Sequence, residues 1–248
     1  MKKRQQIITR RAALTTGVAA LGALLIPGCK QPMPPNYGNI LRMGDNFTYA
    51  AHRALLSKKS LAKEYNFSDI SSMPATGTIN PADTSKEYFS ESYDKHLRTG
   101  FENWQLPVEG LVARPGNYSL NQLKRFSPRT QITRHTCEEG WTAIAEWTGV
   151  PLRMVLEHAG IMPKARWVNF YSYDGWLDSI DLIDAFHPQT ILAYGMNGKN
   201  LSIPHGAPVR LRLERQIGFK SMKYLEKIVV SEEYIDPGDI GWAWYNGF

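Results

Sequence analysis

Strand-like and helix-like stretches intermix along this chain without a strict βαβ repeat, which predicts an α+β domain built on mixed sheets. Two local signals support that reading. Asn197-Gly198 sits between apolar runs at 191–194 and 201–203, the mark of a hairpin turn. Residues 151–160 open on proline and close on glycine, and they place Leu152, Val155, Leu156 and Ala159 on one helical face. With 248 residues, 43% of them hydrophobic, the chain can bury the core of one decorated domain, and it carries no internal repeat.

The elements follow in chain order. Residues 41–66 have helical character, with Ala50, Ala51, Ala54, Leu55 and Leu56 close together. Residues 68–95 are rich in Ser, Thr, Pro and Asp and read as surface loop. The stretch 104–112 predicts a strand and turn, 120–126 a short helix stopped by Pro128, and 131–136 an extended run into Cys137. Residues 165–171 and 225–230 predict two further strands. Along 209–214, Val209, Leu211 and Leu213 alternate with Arg210, Arg212 and Glu214, so a strand with one charged face is expected.

The formal charge of +6 overstates the folded part. Lys2, Lys3, Arg4, Arg10 and Arg11 all precede residue 29, with no acid among them, and the remainder is close to neutral. A nucleic-acid binder would keep its basic excess in the folded domain, so that class is set aside. Thr9-Arg10-Arg11-Ala12-Ala13-Leu14 runs into a short apolar stretch, which predicts an export leader of the twin-arginine type over 1–28 and a periplasmic location. Ile26-Pro27-Gly28-Cys29 is similar to a lipoprotein processing site, so anchoring through a lipidated Cys29 stands open beside simple cleavage. Residues 29–100 then read as tether and extension, and 101–248 as the core with its tail.

Chemistry concentrates at Arg134-His135-Thr136-Cys137-Glu138-Glu139-Gly140-Trp141. A lone cysteine is ordinarily a small buried hydrophobe. These neighbours are polar instead, and Arg134 with a nearby helix start would favour the thiolate, the form that attacks carbon or binds a soft metal. Neither CxxC nor HExxH is present, so a zinc site of those types is not expected.

Arg134, Cys137, Glu139 and Trp141 resemble the cysteine motif of the sulfite oxidase family, with Glu138 where valine is usual. The bacterial periplasmic branch that includes the methionine sulfoxide reductase catalytic subunit is the most similar. The likeness continues in order through Trp147-x-Gly149-Val150-Pro151-Leu152, Ala165-Arg166-Trp167-Val168-x-Phe170, Gly206-Ala207-Pro208-Val209-Arg210-Leu211 and Gly218-Phe219-Lys220-x-x-Lys223. It implies a single molybdopterin-binding domain of the sulfite oxidase type, with one molybdenum held by Cys137. It also implies catalytic roles for Arg134 and Glu139. Arg210 and Lys223, with Ser221 and Met222, would meet the cofactor and its phosphate, a task suited to cations and backbone N–H groups. Asn46 and Tyr49 match an early cofactor contact, although Ala50 stands where the family has glutamate. Ser172 replaces a threonine and His205 an asparagine of the reductase branch. Arg212 and Arg215 stay on a solvated strand face, and His158 and His187 are structural.

An oxidoreductase moving an oxygen atom follows, with S- or N-oxides as first substrates and sulfite oxidation as the alternative. No haem-attachment motif is present, so electrons would pass to or from a separate partner, by analogy a membrane haem protein. The short stretch after Glu232 leaves no room for an immunoglobulin-like dimerisation domain, and a monomer is expected. A cysteine hydrolase using His135 lacks an identifiable orienting acid. A non-catalytic lipoprotein that only binds cofactor or partner is the reading of another class.

Overall fold

The computed structural model describes residues 57–235, together with Phe47, Ala50, Ala51 and residues 53–55. The predicted leader, Cys29, the tether, Asn46, Tyr49 and the closing aromatic tail lie outside the described residues.

Two sheets carry the fold. The first contains β1 (Gln105–Gly110), β2 (Gly116–Ser119), β5 (Trp167–Ser172), β6 (Leu177–Asp181) and β10 (Leu225–Ser231), in the order β2-β1-β10-β5-β6. Only β1 and β10 run parallel; the other neighbours are antiparallel. The second contains β3 (Arg129–Thr136), β4 (Thr142–Pro151), β7 (Ile191–Met196) and β8 (Lys199–Asn200), with β9 (Arg210–Arg212) also paired to β7. This is the predicted α+β arrangement of mixed sheets.

Alternation drives the buried pattern. On β4, Ala143, Ala145 and Trp147 are buried while Thr142 is exposed, so every second residue meets the core. The main cluster draws Leu106, Val108, Phe170 and Ile228 from the first sheet and Val150, Leu192 and Leu211 from the second. The helix α3 (Leu152–Ala159) adds Leu152, Val155, Leu156 and Ala159 to that cluster, the four residues expected on its apolar face. Gly160 ends it in the left-handed region at φ 75°, as its sequence position implied. A smaller cluster gathers Ala145, Trp147, Ile191, Ala193, Leu201 and Ala207.

The Asn197-Gly198 turn forms with both residues at positive φ, 48° and 72°, and joins β7 to β8 through the pair Met196 and Lys199. The returning strand is therefore Lys199–Asn200, and Ile203–His205 forms a 3-10 turn in place of the strand expected at 201–203. The helix α2 (Leu120–Leu123) is a single turn, shorter than expected, and it starts with a Ser119/Gln122 capping box.

The region 68–95 is more than a surface loop. It ends in the helix α1 (Glu91–Arg98), which is capped at its N-terminus by the Ser90 hydroxyl. Tyr93 on α1 is fully buried and packs against the rings of Phe101, Tyr173 and Tyr224. Its hydroxyl donates to the carbonyl of Ala207 at 2.7 Å, which ties this helix to the segment leading into β9. Upstream, the Tyr65 N–H donates to Ile132 O and the Ser71 N–H to Ile144 O, so this stretch adds pairing to the second sheet.

Tyr93→Phe keeps the ring contacts and deletes one buried hydrogen bond, leaving the Ala207 carbonyl unpaired. The expected loss is about 1–2 kcal/mol, read as a lower urea midpoint at unchanged slope.

Candidate active site

Four segments converge on Cys137. The first is β3 and the turn that follows it. Inward-facing Gln131, Thr133 and His135 are buried, whereas Arg134 is exposed and lies 5.3 Å from the ring of Tyr65. After β3 the chain turns sharply. The Cys137 N–H donates to Trp141 O at 2.9 Å, and the Gly140 N–H donates back to Cys137 O at 3.1 Å. Cys137 itself is 6% exposed.

This geometry corrects one expectation. No helix begins at Cys137, and Arg134 is turned to Tyr65. Burial pushes the thiol pKa up; a backbone N–H at Glu139 opposes this and the Glu138 carboxylate adds to it. The protein alone therefore favours the thiol, and a cation must be present to favour the thiolate.

The second segment is β9. The predicted charged face is buried, not solvated: Arg210 is 4% and Arg212 1% exposed. Arg210 donates from Nη1 to His205 O at 3.1 Å and from Nη2 to Ser221 O at 2.6 Å, while its Nε has no hydrogen-bond partner. Burial, with Arg212 beside it, pulls its pKa down to about 9. Arg212 instead has a carboxylate, since Glu214 accepts from its Nε at 3.1 Å and from its Nη2 at 2.8 Å. Both guanidinium groups lie near the Trp147 ring, Arg212 at 4.3 Å from its centroid.

The third segment is the loop before β9. His205 Nε2 faces the carbonyl of Met73 at 3.3 Å, so the proton sits on Nε2, and Nδ1 accepts from the Ser202 hydroxyl at 2.9 Å. Gly206 follows at φ 101°, where a Cβ would lie 3.0 Å from Lys223 Cβ and 3.1 Å from Arg210 Cβ. Its missing side chain lets the two cations approach the same place.

The fourth segment is 218–224, in which Ser221 and Met222 are buried. The Lys223 ammonium donates to the carbonyls of Thr76, Thr78 and Pro204. Burial, then Arg210, lowers its pKa to about 8, while Asp174 and Glu139 oppose the shift. From the end of β5, the Ser172 hydroxyl donates to Lys223 O at 2.7 Å. Glu139 is exposed and accepts from the indole N–H of Trp141 at 3.0 Å.

The structure thus brings Ser172, His205, Arg210, Ser221, Met222 and Lys223 together, with Glu139 close enough to act on Lys223. The sequence reading named His135 only for a hydrolase and Trp147 only within a motif, without foreseeing their contacts with Arg212, which it placed on a solvated face. His135 Nδ1 lies 2.6 Å from Arg212 Nη1, and its ring sits 5.3 Å from that of Trp141. Burial, then Arg212, Arg210 and Lys223, drive its pKa down to about 2, so it is neutral. The alternation of β3 into Cys137 was the available signal for His135.

The arrangement fits an anionic cofactor. The buried Arg210 and the half-buried Lys223 donate to backbone carbonyls, one Arg210 N–H is unpaired, and Gly206 opens space between them. Among the described residues, no group of three or more His, Cys, Asp or Glu could hold a metal ion. A metal at Cys137 would then take its other ligands from a cofactor.

Comparison with known proteins agrees. The family profile for the oxidoreductase molybdopterin binding domain matches residues 94–237. The chain is 30% identical to a protein of Azospira oryzae named as protein-methionine-sulfoxide reductase subunit YedZ1, over 98% of this chain and 89% of that one. The protein-methionine-sulfoxide reductase catalytic subunit MsrP of Campylobacter jejuni is 29% identical, over 76% of this chain and 73% of its own length. MsrP of Xanthomonas campestris is 36% identical over 50% of this chain, a match that spans only 44% of its own length. Among solved structures, the sulfane dehydrogenase SoxCD of Paracoccus pantotrophus shares the fold, with a TM-score of 0.52 and 22% identity over 54% of this chain and 39% of that one.

Two outcomes follow. A Cβ at Gly218 would lie 2.4 Å from His135 Nε2 and 2.9 Å from Thr136 O. Gly218→Ala therefore has to displace the strand end before Cys137, at a cost of about 1–3 kcal/mol, measured by thermal or urea unfolding. Burial also lowers the pKa of His96, His135, His187 and His205. The unfolded chain then binds more protons than the folded one below about pH 6.5. Stability from these groups is complete above that pH and is lost as pH falls, so the urea midpoint should drop between pH 7.5 and pH 5.

Proposed function

Because the chain belongs to the sulfite oxidase family of oxidoreductases with a molybdopterin-binding domain, we propose that it reduces S-oxides with molybdenum held by Cys137. The observation that carries the reading is a buried thiol, Cys137, two residues from His135 on which both the buried Arg210 and the half-buried Lys223 act, with no ion pair from either cation to a carboxylate among the described residues. The names of the relatives from Azospira and Campylobacter support sulfoxides as the substrate class.

The residues divide the work by chemistry. Cys137 supplies one sulfur ligand and loses its proton as the metal binds, so loading should strengthen with rising pH. Arg210, through its unpaired Nε, and Lys223 would hold the cofactor phosphate. Ser172 donates to the Lys223 carbonyl, the carbonyls of His205 and Ser221 accept from Arg210, and with the buried Met222 these residues would hold the two cations in place for the cofactor. Molybdopterin supplies a metal that changes oxidation state by two electrons and exchanges an oxygen atom with the substrate. Glu139, which accepts from the Trp141 indole N–H on the exposed side of the turn, would meet an incoming sulfoxide in this reading.

Electron delivery belongs to a separate protein in this reading, since two relatives are named as subunits. The family resemblance suggests a membrane haem protein. Arg10-Arg11 supports export by the twin-arginine route, with the periplasm as the site of action. Replacing both by lysine should abolish periplasmic accumulation.

Protein made in a host that synthesises molybdopterin should contain about one molybdenum per chain. Cys137→Ala should lose the metal, and Arg210→Ala should lose pterin, the latter giving up a charge-assisted contact of about 1.5–3 kcal/mol. Elemental and pterin analysis read both. The loaded protein should reduce sulfoxides with a dye donor and show no turnover with NADH alone. Stoichiometric metal in Cys137→Ala would remove the ligand assignment.

A further inference from the structure

His135 and Arg212 form a fixed bridge between the interior and the Cys137 turn. Arg212 uses Nε and Nη2 on the two oxygens of Glu214, and those side chains are 1% and 0% exposed. Trp147 lies under its plane. The remaining Nη1 points at His135 Nδ1 at 2.6 Å. Guanidinium can only donate, so Nδ1 accepts and the imidazole proton sits on Nε2. The far end is held as well, because Gln131 Nε2 donates to Glu214 Oε1 at 3.0 Å and to Gln189 O at 2.9 Å.

The imidazole in turn grips both ends of the turn. His135 is two residues before Cys137, on the strand that leads into it. Its ring stacks at 5.3 Å and 32° on Trp141, whose carbonyl accepts the Cys137 N–H. The backbone of Gly218 closes against its Nε2 side. A buried ion pair adds little net stability over apolar residues of equal volume. What Glu214, Arg212 and His135 add is direction, since each hydrogen bond has one geometry.

We propose that Arg212, acting through His135, is a positioning residue that fixes the Cys137 turn and so sets where the sulfur is presented to the metal. This rests on the reading of Cys137 as the ligand, and the test separates the two.

The test uses the full chain with Cys29→Ala, so that one thiol remains, prepared without cofactor. The rate of Cys137 alkylation by iodoacetamide at fixed pH, followed by mass spectrometry, reports how firmly the turn is held. His135→Asn keeps an acceptor near the Nδ1 position and should react within about twofold of the parent. His135→Leu removes it and should react about tenfold faster, the scale set by losing one charge-assisted hydrogen bond to a local opening. Arg212→Met with Glu214→Met removes the ion pair without stranding a charge, and it too should react about tenfold faster at an undiminished thermal midpoint. A purely structural role would tie alkylation to the midpoint and give no rescue by Asn. Parent-like rates in His135→Leu and in the double variant overturn the proposal, as do equal rates in His135→Asn and His135→Leu. If one of these variants does not fold, the other decides. Metal retained by Cys137→Ala would refute the ligand reading and leave the alkylation comparison standing.

Discussion

The site depends on withdrawing three cations from water, Arg210 and Arg212 buried and Lys223 half-buried, with Glu214 the one carboxylate that pairs with any of them among the described residues. Such an arrangement is costly unless each positive group finds a partner. Each cation solves the problem differently. Arg212 takes Glu214 and the face of Trp147. Lys223 takes three backbone carbonyls. Arg210 takes two carbonyls and keeps its Nε unpaired. The uncompensated remainder is what an anionic cofactor would neutralise, so the electrostatic cost of gathering these cations becomes selectivity for an anion.

That constraint explains much of the surrounding backbone. The carbonyls of Thr76, Thr78, Pro204, His205 and Ser221 are turned toward cations and not into sheet ladders. The irregular segment after Ile203–His205, with Gly206 at φ 101°, exists where a regular strand would have directed those oxygens elsewhere. Tyr93 and Tyr224 lock the same region by donating to Ala207 O and Thr78 O. Helix α1 and residues 76–78 therefore belong to the site's support, even though they precede the dense core in sequence.

The polar interior continues away from the thiol to the surface. From Glu214 it passes to Gln131, whose Oε1 accepts from Arg129 Nε at 2.6 Å, and Arg129 pairs with Glu64. Gln189 closes the circuit by donating to Glu64 at 2.9 Å. Its buried members, Gln131, Gln189 and the Glu214 carboxylate, hold one arrangement, because losing one of them leaves a buried group short of a partner. It gives the strand that ends at Cys137 a rigid footing from base to tip.

The sequence by itself determined the fold class, α3 with its glycine stop, the Asn197-Gly198 turn, the strand leading into Cys137 and the strand that follows Lys223, because each has a local cause in periodicity or turn chemistry. It also set Cys137 apart by its polar neighbours and, through the resemblance to the sulfite oxidase family, marked that residue together with Arg210 and Lys223. It did not reveal β6 (LDSID), where Asp178, Ser179 and Asp181 look solvated until Lys220 Nζ donates to Asp178 and the Ser179 hydroxyl donates to Asn169. It assigned Arg212 to solvent for the same reason. Alternation tells which residues share a face, and only the packing of β9 against β7, with Trp147 and His135 alongside, tells whether that face meets water or protein. Burial of a charge is decided by partners distant in sequence, His135 lying 77 residues from Arg212, and no local pattern records where they will be.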